Sequence, residues 1–361
     1  MNARRRHLLL ALATAAAGPA RGQARLPLAD MHSHYGLIQR SLDGSGLADE
    51  LRSQGVALMA WKLVADARWL RATGTGITQA SEPAPGELTA HFTSQLARMK
   101  AYLARTGLRT VLSPGDVDAA LAGGAPGVVL ASEGADFLEG KVDALAGAVA
   151  QGLRHLQLVH YIRNPIGDFQ TEAPVHRGLS ETGRRLVEAC NAQGVLVDLA
   201  HCTGEAVEQA LQVAKLPLVW SHGWVDQSGG DWQDALGYMR RRLSLEHARK
   251  IAAAGGVVGL WGLGLASPAP RVAMGNGGWT VGRGDTRSLA RELAALVQRI
   301  GVDHVALGTD IEGVGPSWAL NHYGHVRSVI EHLQDQGLTA DAVERVAYRN
   351  YARVLKTSLK A

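Results

Sequence analysis

The chain of 361 residues contains only two cysteines, Cys190 and Cys202, so no disulfide framework organises it. They flank an apolar run at 195–199, and a strand of that length holds its ends more than ~15 Å apart, beyond disulfide reach; two free thiols are expected. Long hydrophobic runs are also missing. The apolar stretch from Leu8 to Ala17 is shorter than the ~20 residues a helix needs to cross a bilayer, which argues against a stable membrane span. Dense basic blocks are scarce: the net charge is +4, yet beyond Arg4, Arg5 and Arg6 only Arg240, Arg241 and Arg242 cluster, a poor footprint for nucleic acid. There is no G-x-S-x-G elbow, which excludes the usual serine hydrolase arrangement. Nor is there a repeat with a period of 20 to 50 residues, or an acidic or proline-rich linker. A hydrophobic content of 46% is enough to bury a full core, as one large barrel or two ordinary domains.

The N-terminus reads as an export signal over residues 1–24. Arg4 to Arg6 precede the apolar stretch, and small residues end it at Gly22-Gln23-Ala24. Paired arginines in that place resemble a twin-arginine signal, which exports a protein already folded and metallated; an arginine-rich general secretory signal is the competing reading. Either predicts cleavage near Ala24 and a mature chain, 25–361, that works in the periplasm or outside the cell.

Eight apolar runs alternate with amphipathic stretches along the chain. The predicted strands are Leu28–Met31, Val56–Val64, Val128–Ala131, Leu156–Val159, Val195–Leu199, Leu218–Trp220, Val257–Trp261 and His304–Leu307. Helical patterns lie between them at Glu87–Leu103, Ser180–Cys190, Gly204–Val213, Ser244–Ala253 and Thr286–Ile300, with Ser180 as an N-cap. Near-continuous apolar strands separated by helices indicate a parallel sheet covered on both faces. Candidate ligands end six of the runs, whereas an open sheet uses two or three strand ends at one switch point. A closed (β/α)8 TIM-like barrel with a metal site at the C-terminal ends of its strands is therefore predicted. The glycine-rich piece from Ser267 to Gly284 reads as a mobile loop over those ends.

Those ends are Asp30, His32 and His34 in DMHSH, Glu133 in ASEGAD, His160 in LQLVHY, Asp198 and His201 in VLVDLAH, His222 in LVWSH and Asp310 in VALGTD. His32 and His34, two apart on a strand end, face one side and can grip one ion. Glu133 could bridge two ions with one oxygen each, and His201 and His222 supply a second nitrogen pair. Each alone is more often an ordinary polar residue; their joint occurrence at strand ends points to two divalent ions, zinc foremost. Cys202 lies beside His201, but adjacent residues on a strand end point opposite ways, so packing is its expected role.

In this order the residues resemble the membrane dipeptidase (renal dipeptidase) family of the amidohydrolase superfamily. The likeness runs from Asp30 to about Leu355 and rests on GLSETG followed by GVLVDLAH, on the SH of LVWSH, on GGVVGL and on LGTDIEG. The resemblance implies a (β/α)8 barrel that hydrolyses dipeptides with two zinc ions bridged by Glu133 and a hydroxide. It makes His32 a ligand of the first ion, and His201 and His222 ligands of the second. It gives His160 the role of polarising the scissile carbonyl and Asp310 that of a proton carrier. It also places an arginine of 240–242 on the substrate carboxylate, and Arg241 is the best spaced. The chain departs from the family's H-x-D at the first strand: it has His32-Ser33-His34. His34 can still ligate metal, but the site becomes one charge unit more positive, which bears on metal preference and substrate range. The stretch GWVDQSGGDWQDALGY after His222 departs as well.

The sequence thus predicts an exported zinc dipeptidase acting on a small carboxylate-bearing amide, with no nucleic-acid partner; a homodimer is compatible with it. The competing enzyme acts on a lactone, a cyclic amide or an N-acyl amino acid, as His34 would favour. From another class, the competitor is a metal-containing binding protein without turnover.

Overall fold

The computed structural model describes residues 25–73, 76–227, 240–261, 272–273, 279–280, 285–313 and 320–360. The export signal at 1–24, most of the glycine-rich stretch 267–284 and residues 228–238 of the departing stretch after His222 lie outside the described residues.

The apolar runs fold as eight strands: β1 (Leu28–Ser33), β2 (Val56–Val64), β3 (Gly127–Glu133), β4 (Leu153–Gln157), β5 (Leu196–Asp198), β6 (Val219–Trp220), β7 (Val257–Leu260) and β8 (Val305–Leu307). Each pairs in parallel with its sequence neighbours, and β1 pairs with β8 (Asp30 opposite Leu307), which closes the ring. The architecture is the (β/α)8 barrel. Register is longest between β2 and β3, from Leu58 opposite Gly127 to Val64 opposite Glu133. A two-residue strand, Arg109–Thr110, extends the β3 edge and carries no apolar signal in the sequence.

One strand lies earlier than its apolar run. β4 begins at Leu153 because Arg154 and His155, which interrupt the hydrophobic pattern, are both accommodated. Arg154 donates to the Leu112, Val149 and Leu153 carbonyls, and buried His155 meets the Tyr351 hydroxyl at 3.3 Å. His160 consequently sits three residues past the strand, in the loop.

The strands are apolar on both faces because both are covered. Inside the ring, Ala29, Met31, Leu58, Ala60, Val129 and Ala131 pack with Leu196, Val219, Val257 and Ala306. Outside, Val56, Met59, Trp61 and Leu130 share a core with Phe92, Leu96 and Met99 of the helix Glu87–Thr106. The last helix, Asn350–Ser358, adds Tyr351, Val354 and Leu355 to the inner core. Its Arg353 donates to the Gly255 and Asp303 carbonyls, just before β7 and β8. This helix therefore plugs the N-terminal mouth, and chemistry is left to the C-terminal one.

The helix starts follow their sequence signals. Ser180 accepts from the Gly183 N–H at 3.1 Å to cap Glu181–Gln193, and Asp285 with Ser288 forms a capping box for Thr286–Ile300. Cys190 and Cys202 are free and buried, and burial pushes both thiols up. Among the described residues no helix is long and apolar enough to cross a membrane.

Candidate metal centre

Glu133, the last residue of β3, stands at the centre of the C-terminal mouth and is ringed by five imidazoles. Its Oε1 lies 3.1 Å from His201 Nε2, 3.4 Å from His222 Nε2 and 3.6 Å from His32 Nε2. Its Oε2 lies 3.0 Å from His34 Nε2 and 3.4 Å from His160 Nε2. Asp310 Oδ1 completes the group, 3.3 Å from His34 Nε2 and 3.5 Å from His32 Nε2. All these side chains are buried.

The donor set fits divalent ions. With Zn–N and Zn–O distances of ~2.0–2.1 Å, neighbouring ligands of a tetrahedral ion stand about 3.3 Å apart. The spacings above match, as do His32 Nε2 to His34 Nε2 at 3.0 Å and His201 Nε2 to His222 Nε2 at 3.3 Å. Two positions emerge, His32–His34–Glu133 and Glu133–His201–His222, with Asp310 also within ligand range of His32 and His222. Glu133 reaches both positions: Oε1 faces His201 and His222, with His32 at 3.6 Å, and Oε2 faces His34.

Second contacts aim the rings. His34 Nδ1 lies 2.6 Å from the Lys62 carbonyl, which can only accept, so Nδ1 carries hydrogen and Nε2 faces the centre. Ser221 Oγ lies 3.0 Å from both His32 Nδ1 and His222 Nδ1, tying the two positions together. Room for Ser221 depends on glycine: a Cβ at Gly259 would meet the Ser221 carbonyl oxygen at 2.1 Å, and one at Gly308 at 1.6 Å. These are glycines of the GGVVGL and LGTD motifs. His201 and Asp310 both adopt left-handed backbone, φ 72° and 52°, an uncommon conformation that recurs where a site dictates the direction of a side chain.

Beneath the centre, Lys62 pairs with Asp198 in a wholly buried ion pair. Burial alone would push Asp198 up, but Lys62 and His155 hold it well below the usual carboxylate range. Its Oδ1 accepts from the Ser221 and Ala200 N–H groups, fixing the backbone near His201 and His222. Asp30 is equally committed: it accepts from the His32 and Thr309 N–H groups, Thr309 Oγ1 and Tyr323 Oη. Neither carboxylate enters the metal cluster, although both close apolar runs in the sequence.

Charge is distributed unevenly. Burial would raise Glu133, but His160, His32 and His34 hold it well below its ordinary value. Burial drives His32 down to about 4. It would also lower His34, but Glu133 and Asp310 push that ring up to about 10. His201 and His222 are held well below the ordinary range by burial, reinforced by Arg241 at the first and by His32 and Arg241 at the second.

His160 has a partner the sequence did not reveal: its Nδ1 meets Asp66 Oδ1 at 2.6 Å, and Asp66 and Glu133 raise it against the pull of burial. Asp66 also accepts from the Tyr161 N–H. Behind it Asp136, held by Asn164 Nδ2 at 2.6 Å, is raised to about 8, by burial first and Asp66 second. Asp66 lies two residues past β2, in a run with no other ligand candidate.

Of the three consecutive arginines only Arg241 lines the cavity over the centre, which encloses about 200 Å³. Its guanidinium donates to Tyr161 Oη at 3.1 Å, Gln170 Oε1 at 3.3 Å and His222 Nε2 at 3.0 Å, and lies 5.0 Å from the Trp261 ring. Arg240 reaches the Thr171 carbonyl and Arg242 approaches Asp226. Every residue assigned a site role from the sequence, namely His32, His34, Glu133, His160, His201, His222, Arg241 and Asp310, is thus brought to one mouth.

Residues 49–361 match the model of the membrane dipeptidase family, peptidase family M19. Dipeptidase tcpJ of Claviceps purpurea is 27% identical over 212 residues, 57% of this chain and 44% of its own length; the chain spans less than half of that relative. An uncharacterized protein in the pqqA 5′ region of Klebsiella pneumoniae is 27% identical over 284 residues, 75% of this chain and 97% of its own. A metallopeptidase of Rhodobacter sphaeroides, solved with a phosphinate mimic of the dipeptide L-Ala-D-Ala, superposes with a TM-score of 0.73 at 18% identity, covering 92% of this chain and 99% of its own. That last likeness bears on the fold.

Proposed function

The chain belongs to the membrane dipeptidase family and is a metal-dependent hydrolase, and from that premise we propose an exported zinc dipeptidase with a binuclear site. The observation that carries this reading is the pair of Glu133 oxygens, one facing His201 and His222 and the other His34. When bound, two divalent ions supply Lewis acidity and a water acidified toward neutral pH. His32, His34 and Glu133 would hold one, and Glu133, His201 and His222 the other.

The remaining work falls to protein groups. Asp310, at the rim of the first position, takes the proton of the attacking water and delivers it to the leaving amine. Asp66 keeps hydrogen on His160 Nδ1 and favours the imidazolium, so Nε2–H is available to polarise the scissile carbonyl. Arg241 clasps the substrate carboxylate; ligation through His222 Nε2 would take the lone pair that Arg241 now engages, freeing that N–H for substrate. Residues 1–24 direct the folded protein out of the cytoplasm through the twin-arginine route.

Elemental analysis after gentle purification should find close to two ions per chain, and a dipeptide panel including D-residues should show turnover. Protein without bound metal, and without activity after addition of zinc, manganese or cobalt, would sink the reading.

A further inference from the structure

The cavity over the metal centre is lopsided. On the β2 side its wall is apolar, formed by Ile38, Val64, Leu70 and Ile77, and one cation interrupts it. That cation is Arg71, on a small antiparallel hairpin where it pairs with Thr78. On the other side, after β6, stands Arg241. In a closed ring of eight strands β2 and β6 are four places apart, so the two arginines rise from opposite sides of the mouth and line one cavity with Glu133. Arg71 is exposed and has no hydrogen-bond or ion-pair partner among the described residues. Arg40, by contrast, is consumed by Glu312 and the Asn321 carbonyl.

The cavity's acids are already committed. Among the described residues lining it the carboxylates are Glu133 and Asp310, and both face imidazoles within 3.6 Å. His34 stands where another carboxylate would have offered an ammonium a partner. Among the described residues, a substrate spanning this cavity therefore meets a cation at each end and no uncommitted anion.

We infer that Arg71 is a substrate-binding residue, and that the site takes amides with a carboxylate at each end. Arg241 holds the one on the amine half and Arg71 holds a second on the acyl half, whose methylenes lie along the Ile38–Leu70–Ile77 wall. Hydrolysis adds water across the C–N bond between them, yielding an amino acid and an acidic acyl product. The inference rests on reading the site as an amide hydrolase. The second carboxylate could belong to an acidic N-terminal residue or to a dicarboxylic group blocking the nitrogen.

The test compares Glu-Ala with Ala-Ala, and N-succinyl-alanine with N-acetyl-alanine, on the zinc-loaded full chain and its Arg71→Gln and Arg71→Lys variants. The acidic member of at least one pair should have a kcat/KM roughly tenfold above its neutral partner, the scale of a charge-assisted contact. Arg71→Gln should bring that ratio close to one, mainly through KM, and Arg71→Lys should keep part of it. The pair showing the ratio identifies the source of the carboxylate. Wild-type ratios near one in both pairs, or equal losses on acidic and neutral members in Arg71→Gln, overturn the inference. Turnover of Ala-Ala without any acidic advantage leaves the dipeptidase reading standing and removes only this one. If no amide is turned over, the dipeptidase reading fails, and calorimetry with N-succinyl-alanine decides: weaker binding to Arg71→Gln than to wild type supports the role, equal binding ends it.

Discussion

The two halves of the metal centre share Glu133 and the Ser221 hydroxyl, but they differ in charge. On the β1 and β8 side His34 lies between two carboxylates, Glu133 and Asp310, and is pushed up to about 10 despite its burial. On the β5 and β6 side His201 and His222 are just as buried, but they meet one carboxylate and the charge of Arg241, and both are held well below the ordinary range. Burial is common to all four rings, so local charge decides the difference: Glu133 and Asp310 raise His34, whereas His32, farther from the same carboxylates and beside Lys62 and His34, stays down at about 4. One half offers bare nitrogen lone pairs at neutral pH; the other must release a proton before its ring can ligate.

Removing the shared acid should abolish this contrast with the largest effect. Glu133→Gln leaves a neutral amide between two cations and should lower both metal content and turnover, checked by elemental analysis and rate on one preparation. Next comes His34→Ala, which should lose the first ion, because one imidazole and a shared carboxylate seldom hold zinc unaided. His34→Asp should keep that ion and raise dipeptide turnover. In the wild type at pH 7, calorimetry in buffers of different ionisation enthalpy should find about one proton released for the ion at His34 and almost none for the other. Full metal and full activity in His34→Ala would make the histidine a bystander.

Asp310→Asn comes third and separates chemistry from ligation on the β8 side. It should retain most of the metal while losing ~10²-fold or more in rate, the scale of lost general acid–base help. Metal loss as complete as in the Glu133 variant would make Asp310 chiefly a ligand.

The barrel and most of its centre were legible in the sequence because both are local signals, the apolar run repeated eight times and the polar strand end six times. An apolar run gives a strand, and its last polar residue gives a side chain at the mouth. Asp30 and Asp198 end apolar runs too, but they are consumed by Thr309, Tyr323, Lys62 and Ser221 and hold the backbone of the site rather than a ligand. The same rule missed Asp66, whose value comes wholly from meeting His160 across the barrel mouth. Lys62 was hidden for a related reason: inside the strand Val56–Val64 it reads as an interruption, and its partner lies 136 residues away. Ligands announce themselves by type and position, whereas the residues that aim them depend on tertiary neighbours.

Asp136 gives a fourth, pH-dependent test on the flank of His160. Its carboxyl is raised from 3.8 to about 8, so the folded state holds a proton the unfolded chain releases. That contribution to stability is complete below about pH 4 and is lost as pH rises through about 8. Asp136→Asn fixes the neutral form and should gain on wild type as pH climbs through that window, by at most about 1.4 kcal/mol per pH unit. Denaturant melts at pH 5 and pH 8 check it. An equal difference at both values would show that Asp136 is already ionised at pH 5 in the folded protein and is not raised.

The smallest effect is expected at Ser221, whose hydroxyl touches one ring from each half. An oxygen with two lone pairs can accept from both Nδ1–H groups, which leaves both Nε2 lone pairs free to ligate. Ser221→Ala removes that common acceptor but adds no bulk, so Gly259 and Gly308 still pack against the same carbonyl. Loss of such an outer contact costs ~10–100-fold in metal affinity, and the lower end is expected because His34 stays fixed by the Lys62 carbonyl and His201 does not depend on Ser221. Because Ser221 serves His32 on one side and His222 on the other, both ions should weaken together in a chelator competition. Weakening of one alone would mean that the hydroxyl orients a single ring and that the halves are joined through Glu133 only.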